Sequence, residues 1–351
     1  MAKANLTGAG KQTDSFSQQL CAVSLTDGIQ GELIFIAALD IVLSITAFLG
    51  NTLILIALRK ESSLHPPSKV LFNCLATTDL CVGLIVQPIH VSYLISRVHG
   101  KWDFCSHAVT SHFLACYTLS GVSLLTVTCK SVDRLLAALL GLAYRQVVTL
   151  KRTYVVVVLF WVLSILAAIS YLINDLITFW YGDVVISLCV VISISSYTKI
   201  FRTLRGHRRQ VQNNTQQQSQ GTRLDFARYR KAVFNTLWVQ LALVVCYLPY
   251  CIVSACFRYA RKSHFESYFL AWELTITLAY LNSSLNPFLY CWKISEVKQA
   301  VKMTVREMLC CTWVNSQNWD ILWELFHGDR TLLAFTHIRV EGLKYRVVVT
   351  W

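Results

Sequence analysis

Hydrophobic residues gather along this chain in seven long runs separated by short polar connections. The runs lie at about Leu33 to Leu58, Val70 to Ile95, Ala108 to Cys129, Tyr154 to Ile173, Leu176 to Tyr197, Ala232 to Phe257 and Tyr268 to Cys291. Each is near or above the ~20 residues that cross a bilayer as a helix. In hydrocarbon a segment must satisfy its own backbone polar groups, so runs of this kind are helices. The pattern predicts an all-α membrane protein, a bundle of seven transmembrane helices whose short connections make neighbours antiparallel. Two irregularities stand out: Gly182 and Asp183 interrupt the fifth run near its start, and only Asn174-Asp175 separates the fourth run from the fifth.

After the seventh run, KISEVKQAVKMTVREMLCC places Ile294, Val297, Val301, Val305 and Met308 on one face and Lys298, Lys302 and Arg306 on another. That predicts a short amphipathic eighth helix lying on an anionic inner leaflet. Cys310 and Cys311 at its end are palmitoylation candidates, a second anchoring signal, with free thiols as the alternative. The expected organisation is a polar N-terminal tail over residues 1–30, a seven-span domain over 31–292, the surface helix over 293–311 and a tail over 312–351. The tail is oddly apolar, with WDILWELF and YRVVVTW, yet neither run is long enough to span. The longest connection, Arg202 to Arg230, contains the Gln/Asn-rich VQNNTQQQSQG and reads as a flexible loop.

Composition agrees: of 351 residues, 55% are hydrophobic and 15% charged, with a mean hydropathy of +0.49. The net charge of +13 is concentrated between apolar runs, where a topology signal belongs, and does not call for nucleic acid. Lys and Arg crowd the first, third and fifth connections, whereas the second, fourth and sixth carry only Arg97, Lys101, Arg258, Arg261 and Lys262. The N-terminus is therefore expected outside the cell and the C-terminus in the cytoplasm, in a multi-pass plasma-membrane protein. Asn5-Leu6-Thr7 is then a usable glycosylation sequon, although Asn213-Asn214-Thr215, in a loop placed inside, shows how readily such triplets arise. Most of the thirteen cysteines lie within apolar runs without metal-ligand spacing.

Chemistry enters with Asp79, mid-way along the second run, where an ionised carboxylate costs roughly 2.5–3.5 kcal/mol on insertion scales. The seventh run supplies a polar stripe to meet it: Asn282, Ser283, Asn286 and Tyr290, with Pro287 inside. Further motifs fall in order: Gly50-Asn51 in the first run, LATTDL ending at Leu80, Asp133-Arg134-Leu135 ending the third, Trp161 in the fourth, Tyr197 in the fifth, CYLPY (Cys246 to Tyr250) in the sixth and NSSLNPFLY in the seventh. From about residue 30 to 311 the chain resembles a rhodopsin-type (class A) G-protein-coupled receptor. The resemblance implies that an extracellular ligand activates an intracellular heterotrimeric G protein. It also implies a resting-state sodium site at Asp79, Ser123, Asn282, Ser283 and Asn286. Asp133 and Arg134 would pair at rest, and Tyr197, Pro249, Pro287 and Tyr290 would rearrange with them. No organic cofactor is implied. For the Asp79 group, a hydrogen-bonded cluster without sodium is the alternative.

Several residues depart from that family's pattern. Arg228, Tyr229 and Arg230 occupy the region of the usual acidic partner of Arg134, Cys189 replaces a proline, Tyr247 replaces a tryptophan and Leu243 a phenylalanine. Lys130 stands four residues before Arg134 on the same helical face, where the family is apolar; it must snorkel or find an acid. Cys105 lacks its usual partner because the second outer loop is nearly gone, so it pairs with Cys21 or stays free. These features look like the melanocortin and adenosine branch, and GVSLLTVTCKSVDRLL also resembles uncharacterised coral and sea-anemone receptors. Candidate pocket residues, by outer-half position, are His112, Phe113, Cys116, Tyr117, Tyr250, Ser254, Glu273 and Tyr280. Cys116 replaces the aspartate that holds biogenic amines. Glu273 reads as a solvated rim carboxylate or the counter-ion of a cationic ligand, and His90 and His112 read as packing or rim residues. Tyr280, standing where the retinal lysine would be, speaks against an opsin, and no enzyme-like constellation occurs. A receptor that has lost signalling and a membrane transporter remain as alternatives.

Overall fold

The computed structural model describes residues 20–21, 28–60, 65–213, 241–256, 265–293, 295–312, 337–340 and 343–346. Helix α1 spans Gln30–Lys60, α2 Pro66–Val98 and α3 Trp102–Leu140. Leu150–Ile173 forms α4, Asp175–Asn213 α5, Leu241–Cys256 α6, Phe265–Lys293 α7 and Ser295–Thr312 α8. Five of these, α1 to α5, are long and apolar enough to cross a membrane. The described part of α6 is shorter but apolar, and α7 is diluted by its polar stripe.

Each expected run falls on one helix, the sixth over its described residues 241–256. Gly182-Asp183 does not break α5, because Gly182 serves packing: a Cβ there would come within 3.0 Å of the Tyr117 ring. The α4–α5 connection is Asn174 alone. The link after α3 contains a one-turn helix at Tyr144–Val147 that periodicity did not announce. Large apolar side chains such as Phe35, Val155, Leu166 and Val191 face outward, as lipid-facing positions should. Helix α3 packs on α2, α4 and α5, while α1 packs on α2 and α7.

Two prolines shape the inner faces, and α1 answers both. Pro88 cannot donate to the carbonyl of Gly83 across the π-helical turn at Val82–Val86. Ser44 Oγ donates to that carbonyl instead, at 2.6 Å. Pro287 likewise leaves the Ser283 carbonyl without its helical donor, and Asn51 Nδ2 donates to it at 3.1 Å. Gly50 makes room for the proline ring, since a Cβ there would lie 2.9 Å from Pro287 Cγ. The Gly50-Asn51 pair is thus the counterpart of Pro287.

Helix α2 ends in a turn closed by Gly100 N–H to Arg97 O and Lys101 N–H to Ser96 O, with Gly100 at φ 65°, the glycine-dependent helix stop. Cys105 then bonds Cys21 in a disulfide, which resolves the two outcomes left by the sequence. In α8, Val297, Ala300, Val301 and Thr304 are buried while Lys298 and Lys302 are exposed, the predicted amphipathic split. The side chains of Cys310 and Cys311, Asn5, the loop core around Gln216 and most of the C-terminal tail, including WDILWELF, lie outside the described residues. Within residues 305–351, His337–Val340 (β1) pairs antiparallel with Leu343–Arg346 (β2), in register His337 with Arg346.

Gly50→Ala is expected to lower thermal stability by about 1–3 kcal/mol through overpacking against Pro287. Gly31→Ala, where a Cβ meets nothing within 4 Å, should leave the melting temperature of the purified protein unchanged.

Candidate functional site

Three polar clusters lie along the interior. In the middle, Asp79 on α2 is fully buried and its carboxylate accepts three hydrogen bonds. Ser123 Oγ donates at 2.6 Å, Ser283 Oγ at 2.9 Å and Asn286 Nδ2 at 2.7 Å. Four of the five residues expected to converge do so. Asn282 is buried, but both its amide atoms lack a hydrogen-bond partner, as does Asn286 Oδ1. The Asn286 oxygen, with the Ser123 and Ser283 hydroxyls and the Asp79 carboxylate, makes a hard oxygen donor set that suits a small cation.

At the end of the bundle away from the disulfide, Lys130 neither snorkels out nor meets an acid. Its Nζ donates to Tyr290 OH at 2.9 Å and lies 3.5 Å from the centroid of Phe72 and 4.2 Å from that of Tyr290. Two aromatic faces and a phenol oxygen take the place of water, through cation–π attraction and one charge-assisted bond. Asp133 also departs from the expected pairing with Arg134. Ser68 Oγ donates to one carboxylate oxygen at 3.2 Å and Tyr144 OH to the other at 2.7 Å. Burial and the Asp133 carboxylate push the Tyr144 phenol up to about 12, so it remains a donor throughout the physiological range. Arg134 is half-buried, and no hydrogen bond joins it to Tyr197 among the described residues. Tyr197 on α5 and Pro249 on α6 are half-buried.

Toward the disulfide, a cavity opens among α3, α4, α5, α6 and α7. His112, Phe113, Cys116, Tyr117, Tyr250 and Tyr280 line it, six of the eight residues expected there. Ser254 does not; its hydroxyl donates to Asp183 at 3.4 Å. Glu273 is no rim carboxylate. It is fully buried, accepting from Tyr93 OH at 2.8 Å and facing His90 Nε2 at 2.9 Å. His90 Nδ1 faces Asp40 at 2.7 Å, so both ring nitrogens meet carboxylates, an arrangement that fits an imidazolium donating to each. Arg97 adds a bond to Tyr93 OH at 3.2 Å and lies over Phe269 at 4.1 Å. The His90 ring lies tilted 4.7 Å from that of His112, which hydrogen-bonds Tyr280 OH.

Residues 50–178 and 174–290 match the family described as 7 transmembrane receptor (rhodopsin family). This chain belongs to the rhodopsin family of seven-transmembrane receptors. It is 23% identical to the Mus musculus probable G-protein coupled receptor 45, over 76% of this chain and 81% of that protein. It is 25% identical to the Rattus norvegicus trace amine-associated receptor 9, over 75% and 84%. It is 21% identical to the Ovis aries adenosine receptor A3, over 78% and 90%. The similarity is spread across differently named receptors, so it does not single out the adenosine branch.

As a rhodopsin-family receptor, the protein is a multi-pass plasma-membrane protein that couples an extracellular ligand to an intracellular G protein, and it is not an enzyme. Two of the buried polar residues of this network, Asp40 and Tyr93, escaped the reading of the sequence, and Arg97, expected in the second connection, lies buried in the last turn of α2 instead. The available signal was Asp40 itself, a carboxylate inside an apolar run that needs a partner. Phe72 gave no signal, because a phenylalanine in a span is ordinarily packing.

The Lys130–Tyr290 contact makes a sharp prediction. In a double-mutant cycle on thermal stability, Lys130→Met and Tyr290→Phe should be non-additive by about 1 kcal/mol. Additive effects would show that the hydrogen bond contributes nothing.

Proposed function

We propose that the cavity lined by His112, Cys116 and Tyr280 is the ligand site, and that ligand binding is passed to the G-protein end through the contact between α3 and α7. The observation that supports this is a repeat. Tyr280 OH contacts Cys116 Sγ at 3.8 Å, Ser123 and Ser283 meet on one oxygen of Asp79, and Lys130 meets Tyr290. On α3 these levels are seven residues apart, two helical turns along one face. A ligand that prefers one packing of α3 on α7 therefore biases all three levels, which is the physical content of a population shift.

In this reading the N-terminus is extracellular and the C-terminus cytoplasmic, as the distribution of Lys and Arg supports. Asp133, Arg134, Tyr197, Pro249, Pro287 and Tyr290 form the switch region on the G-protein side. Cys310 and Cys311 are palmitoylated, which with α8 anchors the inner end to lipid, and Asn5 is glycosylated. Asp79, Ser123, Ser283 and Asn286 hold sodium, with Asn282, next to Ser283 on α7, as a further proposed donor; the orphaned amide oxygen of Asn286, whose Nδ2 is already on Asp79, favours it. Bound sodium would supply the countercharge to Asp79.

Two measurements test this reading. In cells expressing the full chain, basal cAMP, calcium or G-protein dissociation signals should fall to background in Arg134→Ala. A silent, well-expressed surface protein would instead favour a receptor that has lost signalling. Replacing N-methylglucamine by sodium at about ten times its dissociation constant should stabilise the purified receptor by about 1.4 kcal/mol. Asp79→Asn should abolish that increment, and an unchanged sodium dependence would remove the ion site.

A further inference from the structure

Several acidic residues lie in the half of the bundle that carries the cavity, yet none faces it. Among the described residues, no Asp, Glu, Lys or Arg lines its wall. Asp40 and Glu273 are closed off by His90 between them, and Tyr93 takes the remaining oxygen of Glu273. With His90 as imidazolium and Arg97 on Tyr93, two negative and two positive charges balance within the network. Asp183 accepts from Ser254. The cavity therefore presents aromatic faces, aliphatic side chains and a few neutral polar groups: the His112–Tyr280 pair, Cys116, Ser120 and Ser164. The Ser164 hydroxyl is buried and has no hydrogen-bond partner, so this wall keeps one unused neutral donor.

We propose that the ligand is an uncharged, largely apolar small molecule, aromatic or lipid-like, carrying a hydroxyl or carbonyl for the neutral polar groups of this wall. This rests on the reading above that the cavity is the ligand site. A cationic amine entering it would lose its water and gain no countercharge, the costly case for a buried ion. An apolar body loses nothing of that kind, and apolar walls with a few placed polar groups are the ordinary lining of a small-molecule pocket. Cys116 removes one anion from the wall, and the His90 bridge removes Glu273 as another.

The test uses the full-length receptor in lipid nanodiscs and matched alcohol and primary amine pairs built on phenyl, indole, naphthyl and decyl skeletons. Thermal stabilisation is titrated for each, with G-protein activation recorded in parallel. The expected result is that alcohols of at least one skeleton stabilise the receptor with an apparent affinity at least tenfold above the matched amine. Filling the cavity by Ala279→Phe or Val185→Trp, whichever retains the unliganded melting temperature, should abolish that stabilisation. An amine that binds as tightly as its alcohol, or no stabilisation by any alcohol, overturns the proposal. Alcohol binding that the filled variants lose without any change in G-protein activation leaves the ligand class standing and overturns the cavity's role in signalling.

Discussion

A carboxylate buried in hydrocarbon survives only where protein groups replace its water, and Asp79 fixes much of this bundle through that requirement. Its three donors come from two other helices, Ser123 on α3 and Ser283 and Asn286 on α7. Donor geometry tolerates little rotation of either helix about its axis. Because Cys116, Ser123 and Lys130 share a face of α3 at two-turn intervals, the register set at Asp79 also brings Tyr280 onto Cys116 and Tyr290 onto Lys130. The levels are one constraint repeated, not three independent contacts.

The bundle handles its buried charges in two different ways. The Asp40–His90–Glu273–Arg97 group balances its charges internally, with the His90 ring bridging α1 and α7. Removing one member would leave an uncompensated ion in a dry site, a cost of several kcal/mol. Asp79 and Lys130 have no such close partner of opposite sign among the described residues. Neutral donors satisfy the first, and aromatic faces and a phenol satisfy the second. Charges solvated by dipoles and rings are easier to re-solvate in a second arrangement than a closed ion cluster is. The α3–α7 contact is accordingly better suited to switching than the α1–α2–α7 cluster, which is suited to holding.

The spans, their order, the amphipathic α8 and the Asp79 convergence were legible because each follows from local pattern or from a polar residue in an apolar run demanding a partner. The fate of Glu273 was not. Its partners His90 and Tyr93 lie 183 and 180 residues away, and a carboxylate near the end of a span looks the same in sequence whether water or histidine covers it. Lys130 shows the same limit: the need for compensation was visible, but not that Phe72 and Tyr290 would answer it, since aromatic residues carry no polar signature. Gly182 misled in the opposite sense. It reads as a helix interruption, yet it is the small residue that lets Tyr117 approach α5.

The prolines show why part of this receptor should stay still while another part moves. Ser44 and Asn51 are seven residues apart on α1, and each caps a carbonyl that a proline has freed, Gly83 on α2 and Ser283 on α7. The adjoining small residues complete the fit: a Cβ on Gly83 would meet Ala47, and one on Gly50 would meet Pro287. Backbone groups exposed by a kink are costly in lipid unless they are recaptured. Pulling α2 or α7 away from α1 would expose them again. The kinks of α2 and α7 are therefore tied to α1 by side-chain donors on main-chain carbonyls, whereas α3 meets α7 at these three levels through side-chain groups alone, at the middle level by way of the Asp79 carboxylate. Side-chain contacts can be exchanged one for another without exposing a backbone carbonyl, so the proposed shift of packing costs less between α3 and the α1–α2–α7 block than it would within that block.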